Sequence, residues 1–291
     1  MEKILLDTDI GTDIDDAVCL AYLLMQPKCE LMGITTVMGE TEDRCRLVSA
    51  LCMAAGRDIP MYPGTAKSIL GPMPEAPVSQ IKRVEGWKHR DRFPKGEWLE
   101  FMRDTIRRHP GEITLLAIGP LTNIGLLFGY DPELPGLLKR LVLMGGAFSE
   151  PFTQKGKCEW NALCDPYAAA IVYQAPVPVH RSVGLDVTLQ ITMEKEEVRR
   201  RFRHPVLQPV LDFAGVWFED VDAITFHDPL TAVSLFEPHV LSYERGEVQV
   251  ELCRADRMGL TRFERRAEGP HEVAKTVDAA GFFDAYFSVF Q

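Results

Sequence analysis

The stretch LLDTDIGTDIDDA, Leu5 to Ala17, joins a short apolar run to an acidic loop and then to the start of a helix. Ile4 to Leu6 reads as a buried strand, and Asp7 follows it directly. Five aspartates (Asp7, Asp9, Asp13, Asp15 and Asp16) fall within ten residues, and Gly11 gives the loop the backbone freedom of a tight turn. In an open parallel sheet, ligands bind beyond the carboxyl ends of the strands. Acids at that position predict a site at the mouth of such a sheet.

Working outward, Leu31 to Val37, Ile113 to Ala117 and Leu141 to Met144 are further short runs that read as buried strands. Thr41 to Ala55 carries apolar residues at helical spacing and stops at Gly56, and Leu121 to Phe128 does the same before Gly129. Repeated strand-then-helix units predict an α/β fold with a mainly parallel, Rossmann-like central sheet flanked by helices. Pro60 to Pro94, which contains GPMPEAP at Gly71 to Pro77, reads as a long loop of the kind that forms lids. Val248 to Leu252 and Leu260 to Glu264 read as a small additional β-hairpin near the C-terminus, and His271 to Phe290 as a closing amphipathic helix. Residues 1–291 are expected to form one domain.

The chain is 46% hydrophobic and 25% charged, an ordinary globular composition that excludes disorder. Its net charge of -10, from 32 Lys and Arg against 42 Asp and Glu, would repel a polyanion, so a small molecule is expected as partner and a nucleic acid is not. Arg199, Arg200, Arg201 and Arg203 follow Glu194, Glu196 and Glu197 and read as a solvated helix face. Seven cysteines without a CxxC pair fit reduced thiols. Met1 is followed by Glu2 and Lys3 and a strand-like run, not by a basic and then apolar leader, and no segment reaches membrane-spanning length. A cytoplasmic location without membrane association is the expectation.

Closely packed carboxylates repel one another unless a cation joins them, and hard divalent ions take several oxygen ligands. No comparable His or Cys cluster offers a zinc site. Helix capping accounts for one carboxylate at such a loop but not for five.

Six further segments accompany the acidic loop DTDIGTDIDDA: AIGPLTNIG (Ala117 to Gly125), VLMGGAF (Val142 to Phe148), EWNALCDPYAA (Glu159 to Ala169), GLDVT (Gly184 to Thr188), FHDPLTAV (Phe226 to Val233) and GLTRF (Gly259 to Phe263). In that order they resemble the inosine-uridine nucleoside hydrolase family over nearly the whole chain. The resemblance implies calcium-dependent hydrolysis of the N-glycosidic bond of a ribonucleoside to ribose and free base, hence a part in purine or pyrimidine salvage. It also implies a homodimer or homotetramer.

Matched by position, the resemblance implies Ca²⁺ held by Asp9, Asp16, Asp228 and the backbone carbonyl of Ile118. Asp9 is then the base that takes a proton from the metal-activated water, which fits the chemistry of a carboxylate beside a bound cation. His227, next to Asp228, is the candidate acid for the departing base. Asp15, Glu159 and Asn161 match residues that bind ribose hydroxyls, with Asp228 also at the substrate. Asp165, followed by Pro166, reads instead as a helix cap, and Asn123 as structural.

Two departures stand out. Two residues are inserted before the Asp15–Asp16 pair and Ile10 replaces the usual proline, so Asp13 is an alternative to Asp15 at the ribose. VMGE (Val37 to Glu40) brings Glu40 to a position where the family usually offers a neutral amide near the sugar. Trp87, Trp217 and Phe218 are aromatics that either stack on a planar base or belong to the core. Two other readings remain: a haloacid dehalogenase-type phosphohydrolase with Asp7 as nucleophile, and a nucleoside-binding or ribose-binding protein without turnover.

Overall fold

The computed structural model describes residues 1–291, save the side chain of Pro151. A nine-stranded sheet has the strand order β10-β9-β11-β6-β5-β4-β1-β2-β3. Its strands are β1 (Glu2–Thr8), β2 (Cys29–Thr36), β3 (Met61–Pro63), β4 (Ile113–Ala117), β5 (Arg140–Met144), β6 (His180–Val183), β9 (Leu241–Val250), β10 (Thr261–Arg265) and β11 (His271–Val277). All neighbours from β3 across to β11 pair in parallel, and β9 and β10 add an antiparallel edge. β7 (Thr192–Glu194) and β8 (Ala223–Thr225) form a separate antiparallel pair.

The central strands are apolar because both faces are covered. Successive residues of β1 alternate between two cores: Ile4 and Leu6 face one, Leu5 the other. The first core takes the helices Asp15–Met25, Thr41–Ala54, Leu207–Trp217 and Ala279–Ser288, the second the helices Trp98–Arg108, Thr122–Tyr130 and Pro166–Gln174. Gly56 ends the helix Thr41–Ala54 in the left-handed region, at φ 66°, as its position after the periodic run predicts. The expected stop at Gly129 is not one, since the helix Thr122–Tyr130 runs through it.

The C-terminal expectation needs a larger correction. His271 to Phe290 is not one helix: His271–Val277 is a strand inserted between β6 and β9, and only Ala279–Ser288 is helical, capped by Asp278 through its hydrogen bond from Gly281 N at 3.0 Å. The β-branched Val273, Thr276 and Val277 suit a strand, and the facing edges of β6 and β9 supply backbone partners that a helix would leave unmet. The hairpin β9–β10 is therefore continuous with the main sheet through β11. Within the expected loop Pro60 to Pro94, β3 adds an edge strand and Ser79–Gly86 a 3₁₀ helix.

The chain leaves β1 for β2 and β3 on one side, then returns to place β4 on the other. This reversal makes the β1/β4 junction the switch point of the sheet, where a crevice opens. The Arg-rich helix Lys195–Arg201 pairs its own acids, Arg199 with Glu196 at 2.7 Å and Arg200 with Glu197 at 2.6 Å. No helix among the described residues is long and apolar enough to cross a membrane.

Candidate active site

A cavity of about 480 Å³ opens over the switch point. Asp9 follows β1, Ile118 follows β4 and Met144 ends β5, so three adjacent strand ends form its floor. Asp13, Asp15 and Asp16 enter from the loop and first turn after β1, Glu159 and Asn161 from the start of the helix Trp160–Cys164, and His227 and Asp228 from the start of the helix His227–Val233. Residues scattered over the sequence thus converge because each lies at the same end of the sheet.

The carboxylates of Asp15, Asp16 and Asp228 each offer an oxygen within 4.8 Å of the others, and all three residues are buried. Burial first, and then repulsion from neighbouring aspartates, Asp9 and Asp13 included, pushes all three carboxyls well above the usual range. Asp15 and Asp16 lie in the first turn of the helix, where Ile14 at the cap position makes no side-chain cap bond. They are held individually: Asp15 Oδ2 accepts from Asp228 N at 3.1 Å and Asp16 Oδ1 from Thr8 Oγ1 at 2.5 Å. An all-oxygen, mutually repelling, buried donor set fits a hard divalent cation.

Asp9 lines the cavity but stands outside this trio, its carboxyl raised by burial and partly offset by the Arg44 guanidinium. Asp13 also lines the wall, raised by burial to about 6. The Ile118 carbonyl accepts from Asn161 Nδ2 at 2.9 Å, and the same amide reaches the Met144 carbonyl at 3.1 Å, tying the ends of β4 and β5. Glu159 accepts three backbone N–H bonds, from Asn161 at 2.7 Å and from Gly146 and Ala162 at 3.1 Å, which lock its carboxylate at the cavity edge. Burial lowers the His227 imidazole to about 4, and its Nδ1 lies 2.7 Å from Thr188 Oγ1.

Glu40 is not brought into this cavity. It is exposed and lines a second cavity, of about 610 Å³, with Lys67, Ser68 and Glu75. Asp165 caps its helix through Ala168 N at 3.0 Å, and Asn123 is structural, donating to Asp7 Oδ1 at 2.7 Å and to the Thr36 carbonyl at 3.1 Å. Of the candidate aromatics Trp217 lines the cavity, whereas Trp87 donates to Asp212 Oδ2 at 3.0 Å and Phe218 is buried beneath Lys195 and Arg199.

Sequence reading passed over Trp160, Leu163, Met144 and Leu185, which make the apolar wall. Trp160 lay between two singled-out residues, and its type was the available signal. Leu185 and Met144 carried none beyond membership of quoted segments.

Asp7 is 0% exposed and sealed below the cavity, held by Asn123 and Thr35, with its carboxyl pushed up to about 7 by burial. It is not available as a nucleophile, which removes the phosphohydrolase reading. The profile of the inosine-uridine preferring nucleoside hydrolase family matches residues 4–284.

This chain belongs to that family.

The enzyme is 28% identical to uridine nucleosidase 1 of Arabidopsis thaliana, over 97% of this chain and 91% of that protein. It is 31% identical to the non-specific ribonucleoside hydrolase RihC of Salmonella paratyphi A, over 96% of this chain and 94% of that one. Among solved structures, the purine-preferring ribonucleoside hydrolase of Gardnerella vaginalis superposes with a TM-score of 0.84 at 22% identity, covering 99% of this chain and 98% of that one. The fold is therefore that of the nucleoside hydrolases, and the family match together with relatives named as nucleosidases and ribonucleoside hydrolases makes this chain an enzyme of that class.

Proposed function

We propose that this nucleoside hydrolase cleaves the N-glycosidic bond of a ribonucleoside with the help of Ca²⁺, releasing ribose and free base. The observation that carries this reading is the buried trio Asp15, Asp16 and Asp228 at the sheet's switch point. Asp16 and Asp228 are the central metal ligands, with Asp15, Asp9 and the Ile118 carbonyl as the remaining oxygen donors around them. A bound divalent ion supplies electrostatic activation of the attacking water.

Asp9, at the cavity floor and outside the trio, takes the proton of that water as it attacks the anomeric carbon. The surrounding carboxylates stabilise the oxocarbenium character that the sugar gains as the C–N bond stretches. Glu159 and Asn161 receive ribose hydroxyls, and because Asp15 belongs with the metal trio, Asp13 becomes the further sugar contact. His227, neutral at pH 7 because burial depresses its pKa to about 4, directs a ring N–H at the departing base as a hydrogen-bond donor that stabilises its developing negative charge, while solvent water delivers the proton to the base. Trp160, Leu163, Leu185 and Trp217 form the apolar wall on which a planar base packs.

Relatives named for uridine and for non-specific hydrolysis support a ribonucleoside substrate of either base class. A cytoplasmic salvage role and a homodimer or homotetramer belong to the same proposal. The test is release of reducing sugar from inosine, uridine and cytidine with added Ca²⁺, alongside Asp9→Ala. Wild-type turnover lost in that variant is expected; unchanged activity would remove the mechanism, and tight nucleoside binding without product would remove the assigned reaction.

A further inference from the structure

The loop between β1 and the helix Asp15–Met25 has a backbone problem. Residues 9–13 are outside regular structure, yet they run through the interior beside the cavity, so each carbonyl needs a donor from elsewhere. Two residues supply them in sequence. Arg44, on the helix Thr41–Ala54 and 0% exposed, donates to the Asp9 carbonyl and to the Ile10 carbonyl at 2.9 Å. Gln80, 1% exposed, donates its backbone N–H to the Gly11 carbonyl at 3.2 Å and its side-chain amide to the carbonyls of Thr12 at 3.4 Å and Asp13 at 2.7 Å. Five consecutive carbonyls are thus held by one guanidinium and one glutamine.

The remaining Arg44 donors reach outward, to the Met38 carbonyl at 2.7 Å and the Ala76 carbonyl at 3.1 Å. Thr12 Oγ1 adds a bond to the Pro77 carbonyl at 3.2 Å. Val78 fills the space above Gly11, where a Cβ would come within 2.5 Å of its Cγ1. The loop is therefore latched both to the end of β2 and to the segment Ala76–Gln80. Burying a guanidinium is costly unless all its donors are met. Among the described residues Arg44 forms no ion pair with a carboxylate, so its charge remains available as a field beside the acidic residues.

We propose that Arg44 and Gln80 are positioning residues for the metal: together they set the backbone of residues 9–13 so that Asp15 and Asp16 reach the cavity at ion-binding separation. The proposal rests on the reading of the acidic trio as a metal site. The two residues inserted in this loop add carbonyls that need a partner, and Gln80 supplies it.

The test is a Tb³⁺ luminescence and Ca²⁺ calorimetric titration of Arg44→Met, Arg44→Lys and Gln80→Met against the wild-type enzyme. Loss of such supporting bonds is expected to weaken ion binding by about 10-fold to 100-fold in Arg44→Met, with Arg44→Lys intermediate. At saturating metal the KM for nucleoside should return to the wild-type value in the Arg44 variants, because Arg44 touches neither the substrate nor the Asp13 backbone; Gln80→Met, which frees the Asp13 carbonyl, is read by ion affinity alone. Ile106→Ala, in the opposite core, should lower Tm and leave ion affinity unchanged, which separates positioning from general loss of stability. If Arg44→Met does not fold, Arg44→Lys and Gln80→Met decide the matter by the same titration. Folded variants that bind the ion as tightly as wild type overturn the clamp alone; a wild-type enzyme that binds no ion overturns the metal reading and the clamp together.

Discussion

Replacing Asp228 by Asn should stabilise the metal-free enzyme while abolishing its response to metal. Asp228 presents an oxygen within 4.8 Å of both Asp15 and Asp16. Two unit charges at that separation repel by about 3 kcal/mol at an effective dielectric of about 20. Protonation already relieves part of this, since the carboxyls are raised well above their unfolded values. The net gain at pH 8 is therefore about 2 kcal/mol, or a rise of about 4–8 °C in Tm for a chain of this size. The pH dependence has a definite sign. Groups whose folded pKa is raised bind protons that the unfolded chain releases, so stability is full below about pH 4 and is lost as pH climbs through the folded pKa values. The advantage of Asp228→Asn should accordingly shrink towards acid pH. Added Ca²⁺ at 100 times its Kd should stabilise the wild type by about 2.7 kcal/mol and leave the variant unmoved. Differential scanning fluorimetry between pH 4.5 and 8, with and without Ca²⁺, reads all of this. A metal-free variant less stable than wild type at pH 8, or one that keeps the full Ca²⁺ shift, would refute the reasoning.

Two further outcomes follow from the same geometry. His227→Ala should lower kcat on inosine by about 100-fold, the scale of one donor aimed at developing charge, yet spare a riboside whose leaving group departs as a stable anion; equal losses on both substrates in steady-state assays would remove the leaving-group role. His180 is buried, stacked on Tyr173, with neither ring nitrogen hydrogen-bonded among the described residues, and burial holds its pKa well below the ordinary value. Because the unfolded chain takes up that proton below about pH 6.5 and the folded one does not, wild-type stability should fall from pH 6.5 to 5, and His180→Phe should flatten the fall in a pH-resolved denaturation series.

Part of the site was legible from local chemistry and part from the resemblance of short segments. The density of carboxylates after β1 pointed to a cation, whereas Asp16, Asp228, Glu159, Asn161 and His227 were singled out as a set by the family resemblance of their short segments, and each lines the cavity. Glu40 misled because a charged residue beside a strand end can face either way; here it faces the second cavity. Arg44 and Gln80 were silent for a different reason. Their task is to satisfy backbone carbonyls, which every residue carries, so no sequence pattern marks them. The strand β11 was missed because HEVAKTV, seven residues long, fits either period until β6 and β9 present edges to pair with.

By itself the sequence determined that apolar strands alternate with helices, that an acidic loop follows the first strand, and that the chemistry is that of oxygen ligands rather than thiols or imidazoles. Hydrophobic period and carboxylate density are local properties, and local properties survive in one dimension. Only the tertiary structure decided which three of the many carboxylates come within 4.8 Å of one another, since Asp15 and Asp16 meet Asp228 across a separation of more than two hundred residues, while Asp9, in the same loop, lines the cavity beside them. That grouping depends on how the helix His227–Val233 packs against the helix Asp15–Met25 and on the buried bonds that hold the loop before it, and neither is written in the order of residues along the chain.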